Sequence, residues 1–280
     1  MASLSAKGNL LAAECRATAR DRPRIAADMD ERTRRQLHTL TLAFYRAHAD
    51  AFDASRVDLP WPGWERVVHA LPPEPIRVLD IGCGNGRFGR FLHDAGVDFD
   101  YLGTDANEAL LAAARKRLAP LLGNRSDFLL QDFLATNEPG EALPDESFSL
   151  VALMGVLHHV PSSEARLALL RAARARLAPG GVLALTAWQF AGRDRFERRL
   201  VDWSKVGDVL GGRIDREQLD RSDVLLRFGD DPDAPPRYCH QVSDGEFETW
   251  PDALSLRPVA DFRADGAQGD LNRYWLMERI

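Results

Sequence analysis

The sequence predicts an α/β fold in which a largely parallel sheet carries helices on both faces. Between residues 76 and 190, apolar runs of strand length alternate with amphipathic stretches of helix length. A glycine-rich turn follows the first of these strands, and an acidic residue stands near the end of each of the first three strands. Because ligands of open α/β sheets bind at the carboxyl ends of the strands, we expect a binding site at that edge.

The predicted core, residues 76–190, contains strands that alternate with helices. The strands are Ile76–Ile81, Tyr101–Thr104, Phe128–Leu130, Phe148–Met154 and Val182–Ala187. The helices are Arg87–Ala95, Asn107–Ala119 and Ser162–Leu177. After the last helix, Ala178-Pro179-Gly180-Gly181 is typical of a helix stop followed by a turn.

The segments before the core predict a tail and a cap. Residues 1–31 are expected to form a flexible N-terminus; their Ala- and Arg-rich start is typical of a frayed end and also resembles an organellar transit peptide. Residues 32–75 have a helical periodicity that Pro60-Trp61-Pro62 interrupts. This pattern predicts a helical cap over the sheet edge.

The segments after the core predict an insertion and then the end of the same domain. Residues 191–236 are charged and contain Gly- and Pro-rich loops, which predicts an insertion on the substrate side after strand five. In residues 237–280, a capping box at Ser243 predicts a helix. The last two strands are predicted at Leu256–Arg263 and Arg273–Arg279.

The composition limits the classes of function. With 280 residues, 45% hydrophobic and 28% charged, the chain is neither disordered nor a small disulfide scaffold. Cys15, Cys83 and Cys239 lie far apart and form no CxxC pair, so we expect no metal and a reducing, cytoplasmic location. No apolar run approaches the ~20 residues of a membrane span, so no membrane partner is expected.

The glycine turn is the most informative segment. It contains Asp80, Gly82, Gly84 and Gly86, and glycines let the backbone come close to a ligand. Residues 84–89 also fit GxGxxG, a weak dinucleotide fingerprint that leaves an NAD(P)-dependent oxidoreductase open. However, the Asp80 carboxylate would repel a pyrophosphate, and a cationic ligand group suits that position better.

This segment resembles motif I of the class I S-adenosylmethionine-dependent methyltransferases. The resemblance implies a Rossmann-like seven-stranded sheet and S-adenosyl-L-methionine as cofactor. It also implies that Asp105 holds the ribose hydroxyls, since two carboxylate oxygens can accept two protons. Asp132 and Phe133 match the pair that contacts the adenine, and Met154 falls at the cofactor end of strand four.

The segment after strand four resembles the "LHH" stretch common in small-molecule and some RNA methyltransferases. His158 and His159 are therefore candidate catalytic residues that orient the acceptor, although one of them can equally be a structural core histidine. Adjacent histidines with no third ligand do not indicate a metal site. The Asn/Asp-Pro-Pro-aromatic motif of amino-nitrogen methylation is absent from this segment, which has Gly155-Val156-Leu157 instead. No cysteine is suitably placed for carbon-5 methylation, so oxygen or a non-base nitrogen is the favoured acceptor.

Outside the core, the chain resembles the eukaryotic tRNA wobble-uridine methyltransferases, which esterify a 5-carboxymethyl group on uridine 34. The resemblance rests on Phe52–Pro62, on Arg237-Tyr238-Cys239-His240 and on Gly269–Trp275. It implies that Arg56 holds the substrate carboxylate, with the cofactor's carboxylate or a surface ion pair as competing roles. A carboxylate acceptor is already ionised and needs no strong base.

The partner could be tRNA or a small-molecule acceptor, and charge does not decide between them. The net charge is −6, yet residues 166–199 contain eight arginines and two acids, which would permit a phosphate-binding face. Arginines on a helix are also typical of a solvated face. A non-catalytic cofactor-binding subunit, and the need for a protein activator like that of the eukaryotic relatives, stay open.

Overall fold

A computed structural model describes residues 29–55, 60–136, 138–229 and 234–280. Arg56, Cys15 and the expected flexible N-terminus up to residue 28 therefore lie outside the described residues.

One mixed sheet forms the centre of the fold. Its strands are β1 Ile76–Ile81, β2 Phe99–Asp105, β3 Ser126–Leu130, β4 Phe148–Met154, β5 Leu177–Trp188, β9 Arg257–Ala264 and β10 Asn272–Glu278. Their order across the sheet is β3-β2-β1-β4-β5-β10-β9. Strands β1 to β5 pair in parallel, and β10 runs antiparallel to both of its neighbours. The predicted seven-stranded α/β sheet is thus confirmed.

Helices cover both faces of this sheet. The helices of the described part of the chain are α1 Glu31–Ala54, α2 Trp64–Val68, α3 Arg87–Asp94, α4 Glu108–Leu122, α5 Ser163–Ala175, α6 Asp194–Glu197 and α7 Asp244–Leu254. Alternate residues of β1 point to opposite faces, so Val78 joins one apolar layer and Leu79 the other. The Val78 layer packs on α3 and α4, and the Leu79 layer packs on α5 and α7.

Strand β5 begins earlier than the sequence indicates. Helix α5 ends at Ala175, and the expected stop and turn at Pro179-Gly180-Gly181 is part of the extended strand. The amide of Gly180 donates to the carbonyl of Arg279, and the amide of Arg279 donates to the carbonyl of Gly181. Pairing with the end of the chain therefore overrides the local turn preference of these residues.

The insertion after strand five folds as a three-stranded antiparallel sheet. Its strands, β6 Leu200–Val201, β7 Asp223–Leu226 and β8 Arg237–His240, are arranged in that order. Strand β8 pairs along its whole length with β7, so the small sheet extends past residue 236, where we expected the insertion to end. An apolar cluster that includes Trp188, Phe196 and Cys239 joins this sheet to the main one.

Helices α1 and α2 lie in the segment for which a helical cap was predicted, and Pro60–Gly63 directly precedes α2. Helix α1 contacts β8 and α4, and one of its faces lies over the carboxyl ends of the parallel strands. Asp30 caps its first turn, since its side chain accepts from the amide of Thr33. Across the described parts of the chain, no helix has the length and apolarity needed to cross a membrane.

Candidate active site

A cleft opens where the parallel strands end beneath α1. Its empty volume is about 1060 Å³, which includes the open mouth. Most of the predicted site residues line it together, although they come from separate strands and loops. These are Asp80, Gly82, Gly84, Asp105, Asp132, Phe133, Met154 and His159.

The glycine turn adopts the conformation that its sequence predicts. Gly82, Gly84 and Gly86 all have positive φ, at 70°, 55° and 75°, a region that side-chain-bearing residues rarely enter. Gly82 and Gly84 line the cleft, whereas Gly86 caps α3 and does not line it. A Cβ at Gly86 would lie 3.1 Å from the Cβ of Ala114, so this glycine permits the close packing of α3 on α4.

Asp80 is buried at the cleft, and one of its carboxylate oxygens has no hydrogen-bond partner among the described residues. Its Oδ2 accepts a 2.7 Å hydrogen bond from the hydroxyl of Tyr101. Its Oδ1 is buried and has no partner among the residues that the structure describes. Burial, reinforced by the charge of Asp105, raises the Asp80 pKa to about 7 despite the Tyr101 hydrogen bond. A cationic ligand group would satisfy this oxygen, which fits the ammonium of S-adenosylmethionine.

Asp105 connects the end of β2 to the glycine turn. Its two carboxylate oxygens accept from the amides of Gly84 and Asn107, at 2.8 and 2.9 Å. Burial raises the Asp105 pKa to about 6, although these amide hydrogen bonds favour the ionised form. Each oxygen retains a lone pair for a ligand hydroxyl, which is compatible with the predicted ribose contact.

Asp132 is paired with a residue that the sequence did not indicate. Nε2 of His38, on α1, donates to both carboxylate oxygens of Asp132 at 2.8 and 2.9 Å. Burial opposes ionisation of Asp132, but the hydrogen bond and charge of His38 keep its pKa below the usual value. The loop that carries the predicted adenine residues Asp132 and Phe133 is thereby joined to α1.

The two adjacent histidines differ in position. His159 lines the cleft, whereas His158 is 1% exposed and does not line it. The ring of His158 stacks on Trp188 with centroids 4.4 Å apart and planes 13° apart. His159 is therefore the histidine that faces the cleft, and His158 packs in the core behind it.

A directed chain of hydrogen bonds passes through His159. Its Nδ1 donates to the carbonyl oxygen of Tyr238 at 2.9 Å, so in the neutral ring Nε2 is the acceptor. The hydroxyl of Tyr45 lies 3.0 Å from that Nε2 and donates to it. The Tyr45 oxygen in turn accepts from Nη1 of Arg237 at 3.3 Å. Residues from α1, β8 and the loop after β4 thus meet beside the part of the cleft that Tyr45 and His159 line.

The sequence patterns did not indicate that α1 contributes to the cleft. His38, Leu42 and Tyr45 line the cleft at spacings of four and three residues, and Thr41 and Arg46 stand beside them. This spacing defines one face of a helix, and polar residues on such a face were the signal available in the sequence. The pattern identifies the face but not the site that it covers, because that depends on the packing of α1.

Three of the eight arginines in the stretch 166–199 are engaged within the protein. Arg166 is fully buried and pairs with Glu246, Arg176 donates to backbone carbonyls, and Arg193 pairs with Asp270. Arg195 and Arg198 are exposed near the base of the insertion. The local charge available to a phosphate backbone is therefore smaller than the sequence count of +6.

In the described ranges, no group of three or more His, Cys, Asp or Glu side chains is arranged to hold a metal ion. Cys83 and Cys239 are free and buried. Burial raises the pKa of both thiols.

Comparison with known proteins agrees with this geometry. Residues 79–183 match a family model described as "Methyltransferase domain". A trans-aconitate 2-methyltransferase of Variovorax paradoxus (strain S110) is 38% identical over 124 residues, covering 44% of this chain and 43% of that protein. A tRNA U34 carboxymethyltransferase of Pseudomonas putida (strain GB-1) is 31% identical over 144 residues, covering 49% and 42%.

Among solved structures, a Burkholderia thailandensis 1,6-didemethyltoxoflavin-N1-methyltransferase with bound S-adenosylhomocysteine superposes with a TM-score of 0.58. It shares 18% identity and covers 88% of each chain, so it shows the fold alone.

The sheet order, the glycine turn and the family match together define the class. The chain contains a class I S-adenosylmethionine-dependent methyltransferase domain, as its sequence indicates. Within that class it resembles the tRNA wobble-uridine enzymes at modest identity, and trans-aconitate 2-methyltransferases at similar identity. The matched part of the chain spans less than half the length of these two relatives.

Proposed function

We propose that this protein transfers the methyl group of S-adenosylmethionine to a carboxylate oxygen of a small organic acid. The cofactor supplies an electrophilic methyl group on its sulfonium. Asp80 would bind its ammonium, Asp105 its ribose, and Asp132 with Phe133 its adenine. The fit is supported by the buried, unpartnered Oδ1 of Asp80 and by the positive-φ glycines that leave the backbone accessible.

The hydrogen bonds of His159 support a carboxylate as the methyl acceptor. Both of its ring nitrogens are engaged, Nδ1 with the Tyr238 carbonyl and Nε2 with the Tyr45 hydroxyl. A histidine held in this way suits an orienting role better than proton abstraction, because its acceptor nitrogen is already occupied. A carboxylate is ionised at neutral pH and needs no base, so positioning of its oxygen in line with the methyl–sulfur bond suffices.

The charges around Tyr45 and His159, where we place the acceptor, also support an organic acid as the acceptor. The acids that line the cleft, Asp80, Asp105 and Asp132, all belong to the predicted cofactor side. Toward the acceptor, the polar lining consists of Tyr45 and His159, with Arg46 exposed on the same face of α1. An anionic acceptor therefore meets no opposing carboxylate from the described residues there. The match to trans-aconitate 2-methyltransferase, whose named substrate is a carboxylic acid, is consistent with this proposal.

The 5-carboxymethyl group of a wobble uridine offers the same carboxylate on a much larger molecule. The tRNA U34 relative and the sequence resemblance at 237–275 favour this second candidate. The internal use of Arg166, Arg176 and Arg193 weakens it, since these side chains are engaged with Glu246, Asp270 and backbone carbonyls. We therefore rank the small acid first.

The experiment supplies methyl-labelled S-adenosylmethionine together with one of three acceptors. These are trans-aconitate with related di- and tricarboxylates, tRNA carrying 5-carboxymethyluridine, and the corresponding methyl esters. A methyl ester product releases its label as methanol in mild alkali, so alkali-labile label on the free acids but not on the esters is expected. Label that resists alkali, or transfer to none of the carboxylates, would contradict the proposal. Asp80→Asn serves as the cofactor-site control.

A further inference from the structure

Arg237 is a buried cation with no counter-ion in the described part of the chain. It is 5% exposed, and none of the described carboxylates lies within ion-pair distance of it. Its Nε is buried and has no partner among those residues, and its Nη1 donates to the hydroxyl of Tyr45. Burying an uncompensated charge is costly, so a residue held in this way indicates an anion that comes from outside.

Aromatic rings hold this guanidinium in place. Its central carbon lies 4.5 Å from the ring centroid of Phe44, 5.0 Å from that of Trp188 and 5.8 Å from that of Tyr45. Cation–π contacts partly offset the loss of hydration but do not neutralise the charge. The positive potential therefore persists at the neighbouring Tyr45 hydroxyl, on a side chain that lines the cleft.

We propose that Tyr45, His159 and Arg237 form the site that selects an anionic acceptor. Tyr45 donates to the acceptor carboxylate, His159 orients the Tyr45 hydroxyl, and Arg237 acts behind them as a positioning residue that supplies the attracting charge. This inference rests on the proposed carboxylate acceptor and names the residues that would make the enzyme specific for it.

Hydrogen-bond directions show how the site can accept an anion. In the free protein, Tyr45 accepts from Arg237 and gives its only hydroxyl proton to Nε2 of His159. A carboxylate oxygen is a stronger acceptor than an imidazole nitrogen within a positive field, and it takes that proton's hydrogen bond when it binds. The His159 ring keeps its place beside the bound acceptor, because its Nδ1 stays bonded to the Tyr238 carbonyl. Arg237 strengthens the Tyr45 donor, because a hydroxyl that accepts from a cation donates more strongly.

The position of Arg237 also gives the small sheet a role. Arg237 is the first residue of β8, and the carbonyl that anchors His159 belongs to the next residue, Tyr238. One strand of the insertion therefore holds both the charge and the orientation of the histidine. Replacement of this strand would be expected to change acceptor specificity while leaving the cofactor site intact.

The test measures binding without turnover, in the complex with S-adenosylhomocysteine. Calorimetry compares trans-aconitate and 5-carboxymethyluridine with their neutral methyl esters, for the wild type, Arg237→Gln, Arg237→Lys and Tyr45→Phe. We expect Arg237→Gln to weaken binding of a carboxylate probe by about 10- to 100-fold, as loss of a nearby charge predicts, while binding of the ester is unaffected. Arg237→Lys should recover most of the loss, and S-adenosylhomocysteine affinity should not change.

Arg227→Gln is the matched control, since Arg227 follows β7 in the same small sheet and donates to the carbonyl of Arg198 rather than to the cleft. If Arg237→Gln does not fold, Tyr45→Phe keeps the ring and the charge but removes the hydroxyl, and it should also weaken carboxylate binding. Equal carboxylate affinity in wild type and in the Arg237 and Tyr45 variants would overturn the inference. Selective carboxylate binding without methyl transfer would instead contradict the proposed function and leave the anion site standing.

Discussion

Arg166 and Glu246 form a buried two-bond ion pair that joins α5 to α7. Nε and Nη2 of Arg166 donate to the two carboxylate oxygens of Glu246 at 2.7 and 3.0 Å. Nη1 of the same guanidinium donates to the carbonyl of Val160, directly after His159. The pair therefore also fixes the loop that carries the candidate catalytic histidine.

Arg166→Met should destabilise the protein by about 3–5 kcal/mol, because it leaves the Glu246 carboxylate buried without its partner. The free energy of unfolding in urea measures this effect. Arg171→Met, an exposed position on the same helix, is the control and should change the stability by less than about 0.5 kcal/mol. Equal changes in the free energy of unfolding for the two variants would show that the ion pair does not stabilise the protein.

Affinity for S-adenosylhomocysteine should fall as the pH is lowered from 8 to 6. The ammonium of the ligand requires an ionised Asp80, and burial raises the pKa of that carboxyl to about 7. A group with this pKa passes from about 90% to about 10% ionised over that range, so an increase in Kd of about tenfold is expected. Calorimetry across the range measures it. Asp80→Asn should bind more weakly and lose most of this pH dependence; a Kd of the wild type that is constant with pH would refute the assignment.

Gly82→Ala should affect both stability and cofactor binding. A Cβ at this position would lie 2.6 Å from Cγ2 of Val156, and φ is 70°. Gly96 also has a positive φ, 78°, but a Cβ there would meet none of the described atoms within 4 Å, so Gly96→Ala isolates the backbone strain. We expect about 1–2 kcal/mol for Gly96→Ala, and a larger loss with weakened S-adenosylhomocysteine binding for Gly82→Ala. Unfolding curves and calorimetry separate the two effects, and similar results for both variants would argue against a steric role of Val156.

The two histidines should respond differently to substitution. His159→Asn breaks the contacts to Tyr45 and the Tyr238 carbonyl, and misplacement of the acceptor should lower kcat/KM by about 100-fold. His158→Asn removes the stacking on Trp188, so it should lower the stability by about 1 kcal/mol and affect kcat/KM less. Steady-state kinetics with the identified acceptor, together with thermal unfolding, make the comparison. A larger kinetic loss for His158→Asn would reverse the roles assigned to these residues.

Local sequence signals predicted which strand-end residues lie together at the cleft. Asp80, Gly82, Gly84, Asp105 and Asp132 follow from strand periodicity and from acids at strand ends, because parallel strands bring their carboxyl ends to one edge. Turn-forming residues were a less reliable guide to local structure where a second strand pairs with them. Gly180 and Gly181 extend β5 because the end of the chain pairs with them.

The capping box at Ser243 shows, within one helix, which features local sequence predicts and which depend on tertiary contacts. Ser243 caps α7 as its sequence predicts, accepting from the amide of Glu246. The Glu246 side chain, however, turns to Arg166 and to His240, and these contacts lower its pKa to about 2 although burial opposes them. The local pattern predicted where the helix begins, but the contact of the Glu246 side chain depends on Arg166, which is distant in the sequence.

By itself, the sequence determined the fold class, the cofactor and the strand ends that line the cleft, since each depends on residues close together in the chain. Only the tertiary structure decided which histidine reaches the cleft, and that Tyr45 and Arg237 stand beside it. Those two residues are 192 positions apart and meet because α1 packs against β8 over the strand ends. Contacts of that range arise from the packing of whole elements, which no local periodicity encodes.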